Sequence, residues 1–255
     1  MDSRINHLHS VRSFELDSVI ALLENYNSEK DEIRILEIGA GTGWQAEKLS
    51  QIGYFVYAID LPSSNYRGQR VFKVIDYDGK NIKFKDNFFD IVYSSNVLEH
   101  IPHLKSFQSE LKRVLKKDGI CIHLMPSGSW RFWTNITYYL RVLKKLFFPD
   151  RRNSLFVTTE TDDYKSRGKR TLLSKAFPSL HGEKGNFITE IYYFSRFYWS
   201  TFFSSNEWHL LKVNGNKLFY TGNSIFGSFL SIKGRNILHY ILGSSCNIFV
   251  LKNKL

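Results

Sequence analysis

Cysteine is nearly absent: Cys121 and Cys246 are the only two in 255 residues. They are too few and too far apart for a disulfide framework or a zinc cluster, which points to a reducing compartment. No apolar run approaches the roughly 18 residues a membrane span requires, and Met1-Asp2-Ser3-Arg4 leads into no apolar leader core. The chain is therefore expected to be soluble and cytoplasmic. Internal repeats and low-complexity tracts are missing too. Acidic side chains are scarce in one half only. Up to Pro126 there are 16 Lys and Arg against 17 Asp and Glu, whereas from Ser127 onward there are 19 against 7. The formal charge of +11 thus belongs to the second half. A uniformly basic nucleic-acid coat is disfavoured, and a basic face on a near-neutral core is the better description.

Apolar residues are plentiful, at 43% of the chain with 16% aromatic, enough to offset the entropy of ordering. A helix-like stripe runs through Val11, Phe14, Leu16, Val19, Ile20, Leu22 and Leu23. Strand signals follow at 33–38, 54–59, 71–75, 89–94 and 120–125, with helical connections at 44–52 and 103–116. That alternation predicts an α/β fold, a doubly wound, mostly parallel sheet with right-handed crossovers. After Pro126 a helix is expected to about Phe148, then a polar basic stretch from Asp150 to Arg170 without apolar period. Twelve aromatics fall within the 34 residues from Phe187 to Tyr220. One helix at 189–203, a strand at 208–213, a helix at 225–242 and a strand at 246–251 complete the reading.

The stretch Ile35-Leu36-Glu37-Ile38-Gly39-Ala40-Gly41-Thr42-Gly43 joins a strand to a helix through three alternating glycines. Glycine lets the backbone turn sharply and approach a ligand, and free amides at a helix N-terminus favour an anionic group. Gly41-x-Gly43-x-x-Ala46 with Asp60 also fits a loose dinucleotide fingerprint. Glu37 two residues ahead of Gly39, and the downstream motifs, discriminate against it.

Those motifs are Asp60 ending the second strand; Asp78-Gly79 followed by Phe84-Lys85-Asp86-Asn87-Phe88-Phe89-Asp90; Ser95-Asn96-Val97-Leu98-Glu99-His100-Ile101; and the helix and turn from Leu111 to Gly119. Together they resemble the class I S-adenosylmethionine-dependent methyltransferases, particularly the bacterial type 11 group. The resemblance is close over 33–126. It implies a seven-stranded Rossmann-like sheet with S-adenosyl-L-methionine as cofactor. It also implies a helical, aromatic-rich insertion after the fifth strand. Gly39, Ala40, Gly41 and Gly43 would lie against the methionine part, Asp60 would accept the ribose hydroxyls, Asp78 with Gly79 would face the adenine amine, and Asn96 the amino end. Glu37 either contacts the cofactor or bonds the loop's own amides. Asp76 competes with Asp78 for the adenine.

A hydroxyl acceptor would benefit from a base, and His100 is the candidate; His123 reads as a core or strand-face residue. No Asp/Glu/His clustering calls for a metal. Arg151, Arg152 and the basic residues from Lys165 to Arg170, beside the aromatic stretches, suit an anionic or phosphate-bearing acceptor, while RNA finds no recognisable module. The segments Pro126–Trp133 and His181–Glu190 resemble a subgroup associated with surface-polysaccharide genes. The expectation is methylation of a small-molecule or glycan acceptor, with peripheral contact at the inner membrane face. Three parts are expected: a helix and cofactor half at 1–126, a substrate lid at 127–207, and sheet completion at 208–255. The alternatives are a non-catalytic binding or scaffold protein, an RNA-directed methyltransferase and a nicotinamide oxidoreductase.

Overall fold

The computed structural model describes residues 3–26, 32–147, 177–222 and 227–254. The basic stretch 150–170, with Arg151, Arg152 and Lys165–Arg170, lies outside them. The chain divides into two compact units. One comprises Glu15–Met125, Ser200–Asn214 and Ile248–Leu255, and holds nearly all of the sheet. The other comprises Met1–Phe14, Pro126–Trp199 and Gly215–Asn247.

In the sheet unit, β1 (Arg34–Ile38), β2 (Phe55–Asp60), β3 (Val74–Asp76), β4 (Phe89–Ser95), β5 (Leu115–Pro126), β6 (Trp208–Gly215) and β7 (Cys246–Asn253) form seven strands in the order β3-β2-β1-β4-β5-β7-β6. The pairings of β1 with β2 and β4, of β2 with β3, and of β4 with β5 are all parallel. Leaving β1, the chain builds outward through β2 and β3 and then returns to place β4 on the other side. Strand order reverses there, and in open α/β sheets that reversal opens a crevice at the strands' carboxyl ends. In register, Ile38 pairs with Ile59 and with Ser94.

The central strands are buried on both faces, so they read as continuous apolar runs. Ile35, Leu36 and Ile38 of β1 and Ile91 and Val92 of β4 are fully enclosed. α3 (Leu104–Val114) buries Leu104, Phe107, Gln108, Leu111 and Val114, one stripe at helical spacing. Its Gln108 accepts the Trp208 indole N–H at 2.8 Å, tying α3 to β6. β5 begins at Leu115, five residues before the expected start. Its entry is irregular opposite Phe89 and Ile91, and a side chain at Gly119 would press on the Asp90 carbonyl.

The second unit contains α4 (Gly128–Phe147), α5 (Glu190–Tyr193), α6 up to Trp199, and α7 (Ile232–Leu242). An aromatic helical region after the fifth strand is present in α4, α5 and the start of α6, while α7, expected among the elements completing the sheet, belongs to this unit. The single helix expected at 189–203 is broken: α6 runs Arg196–Ser205, and the Ser195 hydroxyl accepts the Tyr198 N–H at 3.1 Å. Such capping restarts a helix by satisfying an amide that lacks an intrahelical partner. Likewise α7 starts at Ile232, later than expected, because the Ser231 hydroxyl caps Gly234 at 3.2 Å. Buried Arg131 and Glu190 pair at 2.8 Å, and Glu190 also accepts the amides of His181 and Gly182.

Candidate active site

At the carboxyl end of β1 the chain turns through Gly39, Gly41 and Gly43 with φ of 67°, 56° and 77°. This left-handed region disfavours any side chain. A Cβ on Gly39 would overlap the Val97 methyls, and one on Gly43 would come 2.7 Å from the Phe72 Cβ. At Gly41 it would meet the Tyr66 ring at 3.4 Å. The loop's amides are not the free donors expected from sequence. Gly39 and Ala40 donate to the Ile59 carbonyl at 2.9 and 3.1 Å, Gly43 donates to Ala40, and Gly41 donates to an Asp60 carboxylate oxygen at 3.0 Å. What the loop offers a ligand is close approach rather than a nest of N–H groups.

Asp60 ends β2 beside this loop. Its Oδ2 accepts Gly41 and its Oδ1 accepts the Leu61 N–H at 2.8 Å. Each carboxylate oxygen has two lone pairs, so each keeps one acceptor position beyond these bonds. Glu37 is 2% exposed. It accepts the amide of Ala46 in the first turn of α2 (Trp44–Gln51), while its Oε2 has no hydrogen-bond partner. Burial, reinforced by the Asp60 charge, pushes its carboxyl up to about 8, so at neutral pH it is mostly protonated.

Residues 36–123 match the family model for the methyltransferase domain. This segment, about a third of the chain, is similar to methyltransferase domains. Among curated proteins, the ubiquinone biosynthesis O-methyltransferase of Rickettsia bellii is 28% identical over 129 residues, which is 48% of this chain and 53% of that protein. Phosphoethanolamine N-methyltransferase 2 of Caenorhabditis elegans is 27% identical over 179 residues, 62% of this chain and 40% of that protein. The chain thus spans about half the length, or less, of these relatives. In fold it is similar to an Aquifex aeolicus SAM-dependent methyltransferase, at TM-score 0.52 and 16% identity, covering 98% of both chains. It is also similar to one from Methanosarcina mazei, at 0.53 and 15%, covering 92% and 97%.

S-adenosylmethionine is the methyl donor that this likeness implies, and the residues around the switch point fit it. Asp60 presents two acceptor positions for a vicinal diol, and the orphaned Glu37 oxygen suits an incoming ammonium. The remaining expected residues are placed as follows. Asp78 is exposed, and its oxygens accept Lys80 N–H, Asn81 N–H and the Asn81 amide at 2.8, 2.7 and 2.6 Å. These bonds hold it at about 2. Asp76 is engaged by Arg67 and Arg70, both at 2.8 Å, and is the less available of the two acids. Gly79, at φ 79°, has its carbonyl 2.9 Å from His103 Nε2. Asn96 takes φ 55° after β4, its N–H bonded to the Leu124 carbonyl at 2.8 Å.

His100 ends a one-turn helix, Leu98–His100, with its Nε2 3.7 Å from a carboxylate oxygen of buried Glu99. His123 is wholly buried, bonded to Ser94 at 2.8 Å and stacked on Phe203, and burial lowers it to about 3. It is a neutral core group. Sequence reasoning overlooked Arg113. Its guanidinium bonds the carbonyls of Ile82 and Phe84 at 2.7 and 2.8 Å, and Asp86 and Glu110 at 2.7 and 2.8 Å. It thereby anchors the segment that follows Asp78. The available signal was its spacing of three from Glu110 on a predicted helix.

Proposed function

We propose that the chain is an S-adenosylmethionine-dependent methyltransferase that O-methylates a sugar on an anionic, phosphate-bearing carrier. The observation that carries the acceptor class lies in the second unit. Tyr192, Tyr193, Phe197 and Tyr198 form linked ring contacts, with Tyr192 and Phe197 largely exposed. Lys184 lies 2.8 Å from the Tyr198 hydroxyl and over its ring. Exposed aromatic faces stack on sugars, and a lysine among them complements phosphate.

In this reading the aromatic helices of the second unit bind the acceptor, and within 208–255 it is β6 and β7 that complete the sheet. Glu37, Gly39, Ala40, Gly41, Gly43, Asp60, Asp78, Gly79 and Asn96 surround the cofactor. S-adenosylmethionine, when bound, would supply an electrophilic methyl group: the acceptor oxygen would bond to that carbon in line as its bond to sulfur breaks, with S-adenosylhomocysteine as the leaving thioether. Holding the acceptor accounts for much of the acceleration. His100, beside the buried Glu99 carboxylate, takes the hydroxyl proton as that oxygen attacks. The relatives include an O-methyltransferase and an N-methyltransferase by name, so support for oxygen comes from this base. With a lipid carrier the enzyme works at the inner face of a membrane.

The test is transfer of labelled methyl from S-adenosylmethionine to nucleotide-linked and polyprenyl-phosphate-linked sugars, against tRNA and quinone precursors. Transfer to the glycan precursors is expected, with His100→Ala lowering kcat about 10² to 10⁴-fold at unchanged cofactor affinity. Transfer to tRNA or a quinone precursor alone would reject the acceptor class. Preferential binding of NAD would reject the cofactor.

A further inference from the structure

α7 carries apolar residues on two faces: Ile232, Leu238 and Leu242 are half-buried, and a second set points outward. A surface helix normally turns its apolar stripe to the core. Here the buried face carries Arg235, 1% exposed, whose guanidinium bonds the carbonyls of Leu230, Phe219 and Gly227 at 3.2, 3.3 and 2.8 Å. The outward face carries Ile237, Tyr240 and Ile241 at 66%, 79% and 82% exposure, with Phe229 of the preceding turn at 87%. Lys233, Ile237, Tyr240 and Ile241 recur at spacings of four, three and one, a single stripe down the helix.

The sequence on either side of this stripe carries charge of one sign. From Trp208 to Leu255 the sequence holds six Lys and Arg and not one Asp or Glu. Lys233 begins the stripe. Lys217 sits beside it, since its carbonyl accepts the Asn236 side-chain amide at 2.7 Å. Both lysines are exposed. A short helix with an apolar outer face, an interfacial tyrosine and flanking lysines matches the requirements for lying in a lipid headgroup layer. Among the described residues no helix is long and apolar enough to cross a membrane.

We propose that α7 and the Gly227–Phe229 turn are a peripheral contact for an anionic lipid surface, with Phe229, Ile237, Tyr240 and Ile241 entering the acyl boundary and Lys217 and Lys233 meeting headgroup phosphates. A second copy of the chain is the weaker occupant, because a symmetric α7–α7 contact would bring Lys217 and Lys233 of the two copies together. The assignment deepens the reading of work at a membrane face, and stands on α7 alone.

The experiment is cosedimentation of the full chain with phosphatidylcholine vesicles, with and without phosphatidylglycerol. Binding is expected only to the anionic vesicles. Ile237→Glu with Ile241→Glu should lower partitioning by about tenfold or more, and Lys217→Ala with Lys233→Ala or raised salt by several-fold. These positions are exposed, so circular dichroism and calorimetric S-adenosylmethionine binding should match the wild type, which separates failure of this contact from failure of the enzymatic reading. Absence of sedimentation with anionic vesicles, or sedimentation indifferent to the two glutamates, would overturn the proposal. So would a dimer that dissolves on the same substitution without any vesicle binding.

Discussion

The Asp60 carboxylate and the Gly41 amide are joined at 3.0 Å, so the acid that ends β2 also braces the loop that ends β1. Asp60→Ala should therefore act twice. Loss of the two acceptor positions is expected to weaken S-adenosylmethionine binding by more than about tenfold. Stranding the Gly41 and Leu61 amides should cost stability, about 1–3 kcal/mol. Asp60→Asn keeps one acceptor oxygen and should fall between. Calorimetry and denaturant unfolding read the two effects separately; full cofactor affinity in Asp60→Ala would remove this residue from the site.

Glu37 makes stability depend on pH in a direction opposite to a paired carboxylate. Its folded value, about 8, lies above the ordinary 4.5, so between these values the folded state holds the proton more tightly than the unfolded one. Its contribution is complete below about 4.5 and is lost as pH rises through about 8. The difference between wild type and Glu37→Gln should therefore swing toward the variant as pH climbs through that window. An ammonium arriving beside Glu37 favours the carboxylate, so cofactor binding at neutral pH should release a proton. Titration in two buffers of different ionisation enthalpy measures that release, and equal heats in both would contradict it.

At Gly39 two penalties are separable. Gly39→Ala places a side chain at φ 67° and against the Val97 methyls. Val97→Ala in the same chain should relieve the overlap but leave the backbone strain, about 1–2 kcal/mol. Partial recovery of the melting temperature in the double variant is the expected outcome, and complete recovery would show that φ contributes nothing.

The Arg131–Glu190 pair is buried on both sides. Arg131→Met strands a carboxylate that also holds the His181 and Gly182 amides, at a cost of about 3–5 kcal/mol. Replacing both residues by apolar ones of similar volume should restore much of that in urea unfolding. A double variant as unstable as the single one would indicate that the lost amide acceptor, not the stranded charge, dominates.

Legibility followed sequence distance. The glycine loop, Asp60 and the Asp78-Gly79 turn stood out because their geometry depends on neighbouring residues, and β1, α2, β2, β4 and α3 fell within a residue or two of their expected bounds. The break at Ser195 was missed because the apolar and aromatic period runs straight through it, and only a side-chain cap reveals it. The loop amides, read as free for a ligand, are instead consumed by Ile59, Ala40 and Asp60, partners that the β1–β2 pairing brings up.

Composition and local pattern alone determined the α/β class, the strand–glycine–helix loop and the confinement of positive charge to the second half, because each is written in contiguous residues or simple counts. Tertiary structure decided which carboxylates are available. Glu37 became a buried, mostly protonated cap on α2, Asp78 the acceptor of its own turn, and Asp76 the partner of Arg67 and Arg70. It also decided that α7 keeps a second apolar set outward while buried Arg235 is satisfied by three carbonyls. A carboxylate's protonation and a helix's orientation are set by what topology packs against them, and local sequence does not encode those partners.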